Sequence, residues 1–139
     1  MIALDTDILT LVLHGHGALQ TRLDAVPIAE QGVPIVVLDE LFRGRLAAIR
    51  QAEAGMGKLI LPEAYERFQR TATDARKYVL LPFSPPAEQL VQSWKRMKLR
   101  VGMKDLRIAA IAIIHGAKLV TRNGRDFALV PGLNLEVWN

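Results

Sequence analysis

The sequence predicts an α/β fold on a mostly parallel central sheet, and two features of the chain lead there. Short apolar runs alternate with segments of helical spacing, the pattern of βαβ units, and such crossovers set successive strands parallel. No repeat, linker or low-complexity stretch divides the 139 residues. Residues 1–139 are therefore expected to form one domain, long enough to bury roughly two-thirds of the surface an unfolded chain exposes.

Met1 to Leu4 reads as a buried strand that runs into Asp5-Thr6-Asp7, and an apolar helical turn follows through Leu13 until Gly15-His16-Gly17 breaks it. Ala18 to Val26 carries Leu19, Leu23 and Val26 at helical spacing and is closed by Pro27. Val33 to Val37 reads as the second strand. From Leu38 the pattern is helical again, with Leu38, Leu41, Leu46 and Ile49 broadly on one side, up to Gly55-Met56-Gly57. Pro62 suits the first turn of the next helix, expected to reach about Tyr78 as an exposed arm rich in paired Glu and Arg.

Val79 to Phe83 is the third strand expected. Pro85-Pro86 opens a helix whose Leu90, Val91, Trp94 and Met97 share a face, which makes Trp94 a core residue rather than a platform for a base. Met103 to His115 is the most apolar helix, expected to be central, with Gly116 closing it and His115 a favourable cation at its end. Lys118 to Thr121 gives a fourth strand, Asn123 to Phe127 a tight turn or short helix, and Leu133 to Trp138 a final strand.

Composition sets the outer bounds. Half of the residues are hydrophobic and only 6% are aromatic, which excludes a disordered tail and predicts an aliphatic core. The absence of cysteine removes disulfides, thiolate metal cages and thiol nucleophiles together. The longest apolar run, Ile108 to Ile114, falls far short of the roughly 20 residues that span a bilayer. With no basic run ahead of a long apolar stretch at the N-terminus, a soluble, cytoplasmic protein without membrane contact is expected.

The formal charge of +4 favours polyanionic partners without identifying one. Lys95, Arg96, Lys98, Arg100, Lys104 and Arg107 are opposed within their stretch only by Asp105. That density suits a phosphate backbone, and equally a solvated helix face.

Carboxylates carry the strongest chemical signal. Asp5 follows the first apolar run, Asp39 and Glu40 follow Ile35-Val36-Val37-Leu38, Asp105 opens the apolar helix, and Asp126 follows Lys118 to Thr121. In a parallel sheet the strand C-termini share one edge, where such folds bind ligands. Each acid taken singly reads as a helix cap or a turn residue, with Asp7 favoured over Asp5 as the cap. Asp39 and Glu40 are adjacent and cannot both point into the crevice. Four acids meeting at one edge would repel one another unless a divalent cation neutralised them, so their joint occurrence predicts a Mg²⁺ or Mn²⁺ site. His14, His16 and His115 lack metal-ligand spacing, and no P-loop, dinucleotide fingerprint or Ser-His-acid set is present.

Read in order, Leu4-Asp5-Thr6-Asp7, Glu40-Leu41-Phe42-Arg43-Gly44, Asp105-Leu106-Arg107-Ile108-Ala109 and Thr121-Arg122-Asn123-Gly124-Arg125-Asp126-Phe127 with Pro131-Gly132-Leu133, the chain resembles the PIN-domain ribonucleases, and among them the VapC-type toxins. The resemblance spans nearly the whole chain. It implies a three-layer α/β/α sandwich and a Mg²⁺- or Mn²⁺-dependent endoribonuclease that cuts RNA, forms a homodimer and is held inactive by a cognate antitoxin. It also implies that Asp5, Glu40, Asp105 and Asp126 are the catalytic metal ligands, with Thr6, Thr121 and Asn123 as supporting polar groups and Lys104 and Arg107 as phosphate contacts. Asp7 stands where the family more often has Asn, Asp39 adds an acid beside Glu40, and Arg45 to Tyr78 matches no functional motif.

Two other readings compete. Asp5-Thr6-Asp7 has the Asp-x-Asp form of a haloacid-dehalogenase-like phosphotransferase, in which Asp5 would attack phosphorus directly. That chemistry also needs a placed Lys, a later acidic pair and a larger fold. The second is a non-catalytic domain that binds RNA or protein and whose acids are caps.

Overall fold

A computed structural model describes all 139 residues, Met1 to Asn139. Five parallel strands, β1 (Ile2–Leu4), β2 (Gln31–Pro34), β3 (Val79–Leu81), β4 (Lys118–Thr121) and β5 (Leu135–Val137), form one sheet in the order β3-β2-β1-β4-β5. β1 therefore lies in the middle. Its register sets Ala3 against Gly32 on one side and Leu4 against Val120 on the other. Successive strand residues face opposite sides of a sheet, and Ala3, Leu4, Leu119, Val120 and Thr121 are all buried, so both faces are covered and the fold has three layers.

Seven helices make the covering layers: α1 (Thr6–Leu13), α2 (Gly17–Asp24), α3 (Ile35–Glu53), α4 (Leu61–Ala75), α5 (Pro85–Arg96), α6 (Met103–Ile114) and α7 (Gly124–Phe127). α6 is the central one, as expected. Leu106, Ile108 and Ala109 to Ala112 are all buried, and the run of small residues lets its backbone approach its neighbours closely. It ends at His115 as C-cap, with Gly116 at φ +61°, a conformation that favours glycine. Ser84 caps α5, its hydroxyl accepting from Ala87 N at 3.4 Å, and Trp94 is packed into the core. None of the helices is long and apolar enough to cross a membrane.

α3 and α4 pack on each other as a long hairpin, with the Phe42 and Phe68 rings 5.3 Å apart. α4 buries only Ala64 and Thr71. Met56, Ile60, Leu61 and Tyr65 stay exposed along this hairpin, which is the projecting arm expected for that stretch.

Several boundaries differ from those the sequence suggests. β2 ends at Pro34 instead of reaching Val37, and Ile35 to Leu38 form the first turn of α3. Pro34 cannot donate into a ladder and holds φ at −56°, so the chain leaves the sheet there, and the β-branched run after it packs as a helix. Glu40 consequently lies in the second turn of α3, not at a helix start. α4 stops at Ala75, short of Tyr78, and β5 keeps only the middle of the Leu133 to Trp138 run.

α7 is tied to the sheet through Gly124. A Cβ at that position would lie 2.5 Å from Val137 Cγ2, so any larger residue would make the Val137 side chain give way beside the turn that carries Asp126.

Candidate active site

Asp5 ends β1 at the centre of the sheet, its backbone N–H still donating to Val120 O at 3.0 Å. Asp5, not Asp7, caps α1: its Oδ1 accepts from Thr6 N at 2.8 Å. The reversal follows from position, because Asp5 has extended backbone (φ −72°, ψ 162°) whereas Asp7 is already helical. Thr121, at the end of the neighbouring β4, donates to Asp5 Oδ2 at 2.6 Å. The Thr121 hydroxyl in turn accepts from Asn123 N at 2.9 Å, which fixes the turn into α7.

Burial dominates the titration of Asp5, whose carboxyl is pushed up to about 7. The hydrogen bond from Thr121 opposes that rise, the charge of Asp7 adds to it, the bond from Thr6 N opposes it again, and the charge of Asp105 adds further. Asp105, in the first turn of α6, is also raised, by burial first and then by the charges of Asp126, Glu40 and Asp7. Asp5, at the end of β1, thus feels the charges of Asp7 and Asp105, and Asp105 feels those of Asp126, Glu40 and Asp7.

Asp7, read from the sequence as the helix cap, instead adds its charge to Asp5. Its carboxylate accepts from Ile8 N at 2.7 Å and Arg122 N at 3.2 Å, pinning the chain after β4 to α1. The signal was its place two residues after Asp5, in the first turn of the helix that Asp5 caps. Asp39 turns away and pairs with Arg43 at 2.9 Å on the exposed side of α3. Lys104 and Arg107 are exposed on α6 on either side of Asp105 in sequence. The Asn123 side chain makes no hydrogen bond, and its contribution runs through its backbone.

The donor set suits a hard divalent cation. It consists of carboxylate and hydroxyl oxygens without sulfur or imidazole, and the charges of neighbouring acids add to the rise that burial gives Asp5 and Asp105. Thr6 Oγ1 is buried beside Asp5 with no hydrogen-bond partner. No three acids or histidines stand close enough to ligate one ion between them. That too fits Mg²⁺, which is held through one or two carboxylates and keeps much of its water.

Comparison with known proteins defines the class first: residues 2–133 match the PIN domain, so the chain belongs to the PIN-domain family. Within it, the chain is 32% identical to Ribonuclease VapC4 of Mycobacterium tuberculosis over 117 residues, covering 83% of this chain and 84% of the relative. The fold matches VapBC2 from Rickettsia felis, solved bound to a DNA fragment from its promoter, with a TM-score of 0.77 at 24% identity over the whole of both chains. It matches DNA-bound VapBC from Salmonella typhimurium with a TM-score of 0.78 at 21% identity, again over the whole of both chains. Membership of this family does not favour the phosphotransferase reading of Asp5-Thr6-Asp7.

Proposed function

We propose that this chain is a Mg²⁺- or Mn²⁺-dependent endoribonuclease and the toxin of a type II toxin-antitoxin pair, acting in the cytoplasm as a single-domain protein that forms a homodimer. The carrying observation is that Asp5, at the end of the central strand, and Asp105, in the first turn of α6, both hold their protons more tightly than usual, through burial first and then through the charges of neighbouring acids. The resemblance to Ribonuclease VapC4 supports the reaction, and the VapBC structures support a cognate antitoxin as partner. The apolar side chains left exposed on the α3–α4 hairpin are a surface such a partner would cover.

Asp5, Glu40, Asp105 and Asp126 would line the cation site, one or two of them binding it directly and the others through its waters, and Thr121 keeps the Asp5 carboxylate in one orientation. When bound, a divalent cation supplies Lewis acidity, lowering the pKa of an attacking water and neutralising charge that builds on the phosphate. Lys104 and Arg107 flank the edge from α6 and would hold the RNA strand by its phosphates. No side chain needs to form a covalent bond to phosphorus, and Asp5, held by two hydrogen bonds, serves by staying in place.

The test is cleavage of a structured RNA by the purified chain with Mn²⁺ and with EDTA. Cleavage is expected only with metal, and Asp5→Asn and Asp105→Asn are each expected to reduce it by at least about three orders of magnitude, ~4 kcal/mol of barrier, while circular dichroism shows the fold intact. Undiminished cutting by either variant, or a phosphoaspartate trapped at Asp5, would overturn the assignment.

A further inference from the structure

A second group of like charges lies on the other side of α1. A cavity of about 130 Å³ opens between the C-terminal end of α1 and the α3–α4 hairpin, walled by His14, Arg45, Arg67, Arg70, Thr71 and Asp74. Asp74 is already engaged by Lys77 at 3.1 Å and Arg70 by Glu66 at 2.9 Å, while Arg45 and Arg67 have no acidic partner. Arg45 is nonetheless half-buried and fixed: its Nε donates to Thr71 Oγ1 at 3.0 Å, and the buried Thr71 hydroxyl donates to Arg67 O at 3.0 Å. Burial lowers the proton affinity of Arg45, and the charges of Arg67 and Arg70 lower it further. Without a bound anion these guanidiniums push against one another, the mirror image of the acidic edge.

We propose that this pocket binds a backbone phosphate of the RNA substrate at a distance from the bond that is cut, an inference that rests on the ribonuclease reading. Asp5 caps one end of α1 and His14 the other; nine residues at about 1.5 Å each put roughly 13 Å of helix between them. The phosphate held here is therefore not the scissile one. Guanidinium forks match phosphate oxygens in pairs, and a fixed Arg45 gives that match a built geometry. Leu13 is the sole apolar residue in the wall, so the pocket lacks the apolar anchor that a protein segment would use. The two charge clusters then divide the work, one reacting with the strand and the other gripping it further along.

The test is binding of a dye-labelled single-stranded RNA by the full chain in EDTA, where affinity is read without cleavage. Arg45→Gln with Arg67→Gln is expected to raise Kd about tenfold and to flatten the slope of log K against log salt by about 0.7 for each phosphate no longer neutralised. Arg67→Gln with Arg70→Gln, both at exposed positions, repeats the measurement with the Arg45–Thr71 bond in place. A charge-matched pair elsewhere, Arg50→Gln with Lys58→Gln, is expected to change Kd by less than about twofold. Equal weakening in pocket and control variants would overturn the proposal, as would unchanged RNA affinity in the pocket variants. Cleavage in Mn²⁺ is scored separately. A chain that cuts RNA but binds it equally well after the pocket substitutions refutes the pocket and leaves the nuclease standing, and a chain that loses RNA affinity in them but never cuts does the reverse.

Discussion

α6 and α4 are helices of similar length set against the same molecule to opposite ends. Half of the 12 residues of α6 are buried, whereas α4 buries two of 15 and leaves Leu61 and Tyr65 in solvent. α6 locks the sheet and presents Asp105 from a fixed base. The α3–α4 hairpin is held by its own internal packing, the Phe42–Phe68 pair included. The difference teaches where the fold tolerates change: substitutions on α6 strike the core, whereas those along α4 fall mostly on exposed positions.

The largest effect expected concerns the acids that the rigid side brings together. In the folded chain Asp5 keeps its proton up to about 7, whereas the unfolded carboxyl releases it near 3.8. Between those values the unfolded state binds fewer protons, so the metal-free fold loses stability as pH rises, by on the order of 4 kcal/mol across the window. The raised carboxyl of Asp105 acts in the same direction. Thermal melting in EDTA should give a higher Tm at about pH 5 than at about pH 8, and Mg²⁺ or Asp5→Asn should narrow the gap. A gap that neither narrows would mean that the Asp5 carboxyl is not the raised group behind the pH dependence.

Core truncation comes next. Ile111→Ala should destabilise by about 3 kcal/mol in urea unfolding, while Tyr65→Ala on the arm should stay within about 0.5 kcal/mol. Comparable destabilisation at the two sites would erase the contrast between the regions. Thr121→Val removes the 2.6 Å hydrogen bond to Asp5. It should lower cleavage about 10- to 100-fold and move the acid limb of the pH–rate profile upward, because the bond holds the Asp5 carboxyl down. Inside the arm, Phe68→Ala should cost about 1 kcal/mol through removal of the pair with Phe42, between the core truncation and the exposed Tyr65→Ala.

The alternation of strands and helices was legible because strands buried on both faces leave continuous apolar runs, as in Ile2-Ala3-Leu4 and Leu119-Val120-Thr121. The same rule misread Ile35 to Leu38. A run of β-branched and apolar residues looks identical whether it fills a strand or the buried side of a helix, and Pro34 decided between them. At the acidic edge, residue order was enough to nominate Asp5, Glu40, Asp105 and Asp126. The capping role of Asp5 and the tie from Asp7 to Arg122 N were not legible, since both depend on backbone angles and on an approach between residues distant in the chain. The arginines of the second pocket escaped for a related reason: Arg45 meets Arg67 and Arg70 only once α3 and α4 have folded against each other.

Gly124 has no functional group, yet the turn bearing Asp126 rests on Val137 without displacing it because that position carries no side chain. Saturation mutagenesis scored by RNA cutting would rank it among the carboxylates, although it ligates nothing and donates no proton. Its sensitivity would be a matter of clearance, and a compensating Val137→Ala, which vacates the space a new methyl would need, should restore what Gly124→Ala takes away.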